Sequence, residues 1–434
     1  MAGHFATGLG LAVLGLAVGG CMGGVIPDVA SKAAVTASPA DPAAQSVRAN
    51  GSARIASLQS RRSLVPNGSS FDTVARSVTA ASAGTAQSDL RIARLKAEAK
   101  SKNWLPSIGP SVNLTSLGAL VTSILVEQVI FDNGKRKAER AFAAADVEVA
   151  AVNLSLDMNK RVQTGLMLYI DAEAARARAA VAQRALGRLE EFDRIMVQRV
   201  QGGVSNLSEQ QVLRQKLSEM QAQLSEDQDT IAQALAELAS ISASPLGGVS
   251  GLAVLPEPPA GVTPLTVLLA EAERERTVAE ARMTRAGLLP GLTAGGTIGG
   301  GGSGIGLSVS AKEMWGFGTG ASLKALDAAS EGADRHVAQA QEDAGRRVRS
   351  LEQKLVGMAR QEAREAEIVG QTRANLDLFE AQYRAGQRPL MDLVNQFEQL
   401  AGMERDLVTL RYDRARTQVE LARELGVLAD GAEI

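Results

Sequence analysis

The chain has 434 residues, with 46 Lys and Arg against 48 Asp and Glu and a formal net charge of −2. That balance excludes the concentrated basic footprint that nucleic-acid binding needs. Aromatic residues make up only 3%, too few for the cores of two ordinary compact domains. The bias toward Ala, Leu, Glu, Gln and Arg instead favours long helices packed through small and aliphatic side chains.

Residues 5–20 are apolar but fall short of the roughly 20 residues that a membrane helix needs. They end in Val18-Gly-Gly-Cys21, which places small residues before the only cysteine of the chain. Small residues at such a point mark a secretory cleavage site. The segment resembles a bacterial lipobox, with 1–20 as a lipoprotein signal peptide and Cys21 as the acylated mature N-terminus. A lone thiol that cannot form an internal disulfide fits that reading. Met22 in place of Asp resembles lipoproteins sorted onward to the outer membrane. Residues 1–4 carry no Lys or Arg, and an ordinary signal peptide with an incidental cysteine is the competing reading. Residues 21–68, rich in Ala, Ser, Pro and Gly, read as a lipid-anchored flexible tether. No later apolar run is long enough for a transmembrane helix, so any membrane span must be built from strands.

Residues 69–245 read as one structural unit. A helix ends at Leu105-Pro106, because the residue before proline avoids the helical region. Within 105–131, Val112-Asn-Leu114 and Leu120-Val-Thr-Ser-Ile-Leu-Val126 read as strands, the second running on to Val129-Ile-Phe131. Phe131-Asp-Asn-Gly134 follows. Residues 135–199 then contain no proline and predict a helix of about 65 residues, roughly 100 Å long. No compact domain buries such a helix, so its partners must be other long helices. Val162, Leu166, Tyr169 and Ile170 form a stripe on it at helical spacing. Gly202-Gly203 ends the helix at a hairpin tip near 202–206, with Ser205 expected to cap the next one. The return helix carries Leu217, Leu224, Ile231 and Leu238 every seven residues, with Leu213 and Met220 on the adjoining seam. Such a repeat imposes a left-handed supercoil.

After a linker at 246–262, residues 263–428 repeat the plan. Leu289-Pro290 opens a strand pair at 289–318 that contains Gly299-Gly-Gly-Gly-Ser-Gly304. That run lacks a following Lys-Ser/Thr and reads as a strand–strand loop rather than a phosphate cradle. Ile305-Gly-Leu-Ser-Val-Ser310 alternates apolar and small polar residues, as a strand between two environments does. Phe317-Gly-Thr-Gly320 leads into a long helix, Gly386 breaks it, and Pro389 is expected in the first turn of the next. Leu393, Leu400 and Leu407 continue at seven-residue spacing, and residues 429–434 form a tail. The Leu-Pro step, the Phe-x-x-Gly step, and a glycine followed six residues on by Glu209 or Asp392 all recur roughly 185 residues apart, which marks an internal duplication. A membrane strand needs about 9–11 residues, so each copy holds two and the chain four. Four strands cannot close a barrel, and an open edge cannot face lipid. Several chains must pool their strands. Trp104 and Trp315 lie at the outer ends of the two patches, where Trp favours the membrane–water interface.

In its duplicated order of helix, Leu-Pro, strands, Phe131-Asp-Asn-Gly-Lys135, long helix, glycine hairpin and long helix, the chain resembles the TolC family of outer-membrane factors. The resemblance covers about residues 71–428, and Tyr383-Arg-Ala-Gly-Gln-Arg-Pro-Leu-Met-Asp392 is similar to the family's periplasmic tip. It implies a mainly α fold with short β segments. Three chains would form a twelve-stranded barrel continuous with a twelve-helix coiled-coil tunnel, closed at its tip. It also implies an exit duct for efflux or type I secretion, served by a periplasmic adaptor (a membrane-fusion protein) and an inner-membrane pump. By position, Gly203 and Gly386 would be the hairpin-tip glycines. Tyr383 and Arg388 would tether the inner hairpin, Glu209 would accept those tethers, and Asp392 would line the constriction. Asn395 stands where some members have a second Asp. Each of these residues also fits an ordinary solvated helix end.

Two histidines, His4 and His336, one cysteine and no nucleophile motif give no expectation of catalysis, of a metal site or of a cofactor. The competing non-enzyme reading is a lipid-anchored periplasmic coiled-coil adaptor or scaffold. That reading accounts for the helices but not for the strand patches.

Overall fold

A computed structural model describes residues 53–81, 84–114, 120–299, 303–310 and 316–433. All of these lie within one compact unit, Ser46–Ile434. Cys21, the signal segment and Trp315 fall outside the described residues. The elements are α1 (53–59), α2 (Ser70–Ala80), α3 (Thr85–Ser101), β1 (Ser107–Leu114), β2 (Leu120–Phe131), α4 (Lys135–Gln201) and α5 (Leu207–Ile241). They continue as α6 (Leu265–Gly287), β3 (Gly291–Gly299), β4 (Gly304–Ser310), α7 (Thr319–Arg384), α8 (Leu390–Glu424) and a 3-10 turn, Gly431–Glu433. The order helix, strand pair, long helix, return helix occurs twice, as the repeated landmarks require.

At 67 residues, α4 is about 100 Å long. The stripe of Val162, Leu166, Tyr169 and Ile170 is fully buried in the main core, against Phe71, Val74 and Val78 of α2 and Leu425, Val427 and Leu428 after α8. Phe71 meets Tyr169 edge-on at 6.0 Å, and the Tyr169 hydroxyl donates to the Gly251 carbonyl at 2.8 Å. Gly165 sits at this contact because a Cβ there would lie 2.6 Å from Val78 Cγ2. The seven-residue seam of α5 differs from expectation. Its buried positions are Leu213, Met220, Asp227 and Ala234, ending at Leu238, whereas Leu217, Leu224 and Ile231 are half-buried. The rotation brings Asp227 inside. There its carboxylate accepts from Arg178 Nε of α4 at 2.8 Å and from Arg405 Nη1 of α8 at 2.7 Å. One buried acid therefore ties the first hairpin to the second.

Of the flexible tether expected over 21–68, residues 21–52 lie outside the described residues and residues 53–68 are packed. Residues 53–69 form α1 and a packed strap, with Leu58 wholly buried. Leu64 N donates to the Val427 carbonyl at 2.8 Å, Ser63 Oγ to that of Leu428 at 2.6 Å, and Arg61 Nη1 to that of Leu425 at 2.8 Å. Residues beyond 428, expected as a tail, close this clasp. Gly431 N donates to the Arg61 carbonyl at 3.0 Å, and a Cβ on Gly431 would stand 1.9 Å from the Leu58 oxygen. Composition misled here, because a few residues hold the strap: the Leu58 side chain, the Arg61 and Ser63 side chains and two backbone bonds to the segment after α8.

The four strands form one antiparallel sheet in the order β1-β2-β3-β4. Residues paired across such a ladder share a face. The register Ile108↔Val126, Ile124↔Ile298, Gly296↔Ile305, Ala294↔Leu307 and Leu292↔Val309 gathers the apolar side chains on one face. The register Ser107↔Glu127, Ser111↔Ser123, Thr293↔Ser308, Gly295↔Gly306 and Thr297↔Gly304 gathers small and polar residues on the other, with Leu125 and Val129 as exceptions. Among the described residues no helix is long and apolar enough to cross a membrane.

Candidate functional site

Two places carry the chemistry that the sequence singles out: the turn from sheet to helix and the hairpin tips. At the first, Asn133 and Gly134 both adopt left-handed backbone, with φ of 53° and 83°. Side chains other than those of Gly, Asn and Asp resist that region. This conformation lets Asp132 cap α4, its carboxylate accepting from Gly134 N at 3.1 Å and Arg136 N at 2.9 Å. Asn133 Nδ2 reaches across to the Pro290 carbonyl at 2.8 Å. The Asp-Asn-Gly step of one repeat is thus bonded to the Leu-Pro step of the other. Nearby, burial would lift the Glu139 carboxyl, but hydrogen bonds from Lys100 and Asn103 outweigh it and hold the group below the ordinary carboxylate range.

The two hairpin turns are built alike. Gly203 and Gly386 have φ of 70° and 72°, the left-handed ending that closes a helix. Val204 N donates back to Arg199 O at 2.8 Å, and Gln387 N to Gln382 O at 2.9 Å. The cap of α5 is Asn206, whose side chain accepts from Glu209 N at 2.8 Å. Ser205, the expected cap, instead accepts from Arg199 Nε at 3.2 Å. Pro389 precedes α8 in the cap position with extended backbone, one place before the first turn where it was expected.

Arg388 is fixed within its own hairpin. Its guanidinium lies 4.0 Å from the centre of the Phe379 ring, and its Nε donates to Gln382 Oε1. Its Nη1 stands 3.5 Å from Asp392 Oδ2, one helical turn on. Tyr383 is half-buried against a second apolar cluster, built from Leu189, Phe192, Met196, Leu213, Leu390 and Leu393. That cluster joins the two tips. Glu209 is half-buried and Asn395 exposed. The structure therefore brings Arg388 and Asp392 together. Among the described residues, no hydrogen bond or ion pair joins Tyr383 or Arg388 to Glu209.

Contacts that the sequence does not reveal link the hairpins just above the tips. Arg188 of α4 donates to Glu191 at 2.5 Å and across to Glu380 of α7 at 2.7 Å. Burial would favour the neutral guanidine, but these two carboxylates outweigh it and raise the pKa of Arg188 further. Lys216 of α5 pairs with Glu398 of α8. In the sequence each is one more charge on a helix surface, and only the packing of four helices selects it. Among the described residues no group of three or more His, Cys, Asp or Glu side chains could hold a metal ion.

No family profile matches the sequence, and no curated protein is similar to it in sequence. Solved structures are similar in fold. A membrane protein from Pseudomonas aeruginosa superposes with a TM-score of 0.74 at 15% identity, covering 85% of this chain and 92% of that one. The Campylobacter jejuni CmeC outer membrane channel gives 0.69 at 14% identity, covering 84% and 87%. The open state of the Neisseria gonorrhoeae MtrE outer membrane channel gives 0.69 at 16% identity, covering 84% and 90%. At this identity the likeness concerns the fold, and the fold is that of TolC-like outer-membrane channels.

Proposed function

We propose that this chain, folded as those outer-membrane channels are, is the exit duct of a tripartite efflux pump or type I secretion system. One observation carries the reading: the sheet has two unlike faces and two open edges. Ile108, Ile305 and Leu307 are 72%, 94% and 71% exposed on the apolar face, which suits lipid. The Gly, Ser and Thr face suits an aqueous lumen, as in membrane barrels. Among the described residues β1 and β4 have no neighbour on their outer sides, and in a bilayer each unpaired backbone group costs several kcal/mol. Three copies would close twelve strands into one barrel, with the long helices continuing it as a tunnel into the periplasm.

In this reading Cys21 is acylated and anchors the chain to the outer membrane. The tip is the gate. Asp392 of three copies rings the constriction, where focused charge favours cations, and Arg388 holds the hairpin by gripping Asp392 and Phe379. The Tyr383 hydroxyl and the Glu209 carboxylate have no polar partner within the described chain and would meet across the seam between copies. A periplasmic adaptor and an inner-membrane pump would engage the tips and select the cargo. A coiled-coil scaffold would leave the exposed apolar strand face without a purpose.

Electron microscopy of the mature chain in mild detergent tests the reading. A threefold particle with a hollow stalk on the order of 100 Å long is expected, and a monomeric or solid rod would overturn it. In planar bilayers, Arg388→Ser and Asp392→Ala should both raise single-channel conductance. Unchanged traces would remove these residues from the gate.

A further inference from the structure

Within β1, β2, β3 and β4, Glu127 is the sole Asp, Glu, Lys or Arg. It is exposed, and the register places it on the small, polar face, between Ser107 of β1 and Gly295 of β3. The next position along this ladder is Gly306 of β4. Its nearest neighbours on the face are therefore a serine and two glycines, none of which can neutralise a carboxylate. Among the described residues no cation pairs with it, whereas Asp132, five residues on, is consumed in capping α4. The rest of the sequence between the two Leu-Pro steps and their Phe residues is nearly free of charge. Only Lys312 and Glu313 remain, adjacent and opposite in sign, and they lie outside the described residues. A lone, unpaired carboxylate on an otherwise uncharged wall sets the sign of the field along that wall.

We propose that Glu127 is a selectivity element of the barrel. Three copies would form an acidic ring in the lumen, separate from the Asp392 ring at the tip. The proposal rests on the duct reading. Glu127 lies four residues before the end of β2, about 13 Å along the strand, and so near the junction of barrel and tunnel. There it would enrich cations and disfavour anionic cargo after the tip has opened.

The experiment is the reversal potential of purified channels in planar bilayers under a KCl gradient. It is read in the wild type and in the Asp392→Ala background, where the tip ring is absent. Glu127→Gln should lower the cation-over-anion permeability ratio at least about twofold in that background, given that focused fields raise local counter-ion concentration about tenfold or more. Glu127→Lys should invert the preference. Ser308→Glu, which adds a carboxylate to the same face, should restore the ratio in Glu127→Gln channels and raise it on its own. If the wild type forms no channels, the duct reading fails and this proposal fails with it. If the wild type conducts but the ratio ignores Glu127→Gln, the Glu127 assignment alone is overturned. Should Glu127→Gln not insert, Ser308→Glu in the otherwise unchanged chain decides the matter, and an unmoved ratio overturns the assignment.

Discussion

The helices α4 and α7 hold the same place in the two repeats and have nearly the same length, 67 and 66 residues. Their surroundings are opposite. α4 is buried along its length from Ala138 to Met196 and serves as the spine against which α2, α5, α6 and α8 pack. α7 buries only Ala344, Val369 and Thr372, and it leaves Val356, Ile368 and Leu378 exposed. Duplication has reproduced the topology without reproducing the core. The first long helix organises the single chain. The second presents a mostly solvated surface, on which a neighbouring copy would complete the packing of a closed tunnel.

This contrast predicts a gradient of mutational effects. The largest belongs to Asp227, the buried acid that joins α4 and α5 to α8. Asp227→Ala leaves Arg178 and Arg405 partly buried and unpaired, and should cost about 3–5 kcal/mol, read as a lowered denaturation midpoint in detergent. Leu166→Ala on the spine should follow, at about 2–5 kcal/mol. Retention of wild-type stability would mean that α4 is not the organising helix. Gly165→Ala is smaller, about 1–3 kcal/mol from overpacking against Val78, and Val78→Ala in the same chain should recover most of it. The smallest effect on the single chain should come from α7. Val356→Ser should shift its stability by no more than about 0.5 kcal/mol, yet it should lower the fraction of trimer in size-exclusion light scattering. A large loss of stability in that variant would erase the distinction between the two helices.

Much of the architecture was legible because it depends on backbone punctuation. Leu105-Pro106, Leu289-Pro290, Gly203 and Gly386 mark breaks whose physics is local, and the strand alternation at 305–310 reads directly as two faces. What the sequence concealed depends on partners remote along the chain. The α5 seam that begins at Leu213 and Met220 runs on through Asp227 rather than through Leu224 and Ile231, with two arginines from other helices pairing the buried acid, and no periodicity of leucines foretells that. Asn206 displaces Ser205 as the cap, since either side chain fits the motif and the turn geometry selects one. At the candidate gate, Arg388 was expected to reach across to Glu209, and it instead faces Asp392, four residues on in its own hairpin. The Phe379 ring beneath Arg388, and the Arg188–Glu380 bridge between hairpins, emerge only when helices meet.

The clasp between the strap and the end of the chain bears on biosynthesis. Residues 61–64 find their hydrogen-bonding partners at 425–431, on the far side of both repeats in the order of synthesis. The strap therefore cannot dock until synthesis has passed Gly431, and until then the core around Leu58, Phe71 and Leu428 stays open at one edge. A chain exported as proposed above would gain by this order, because the clasp stays unmade while both repeats are still being threaded through a membrane.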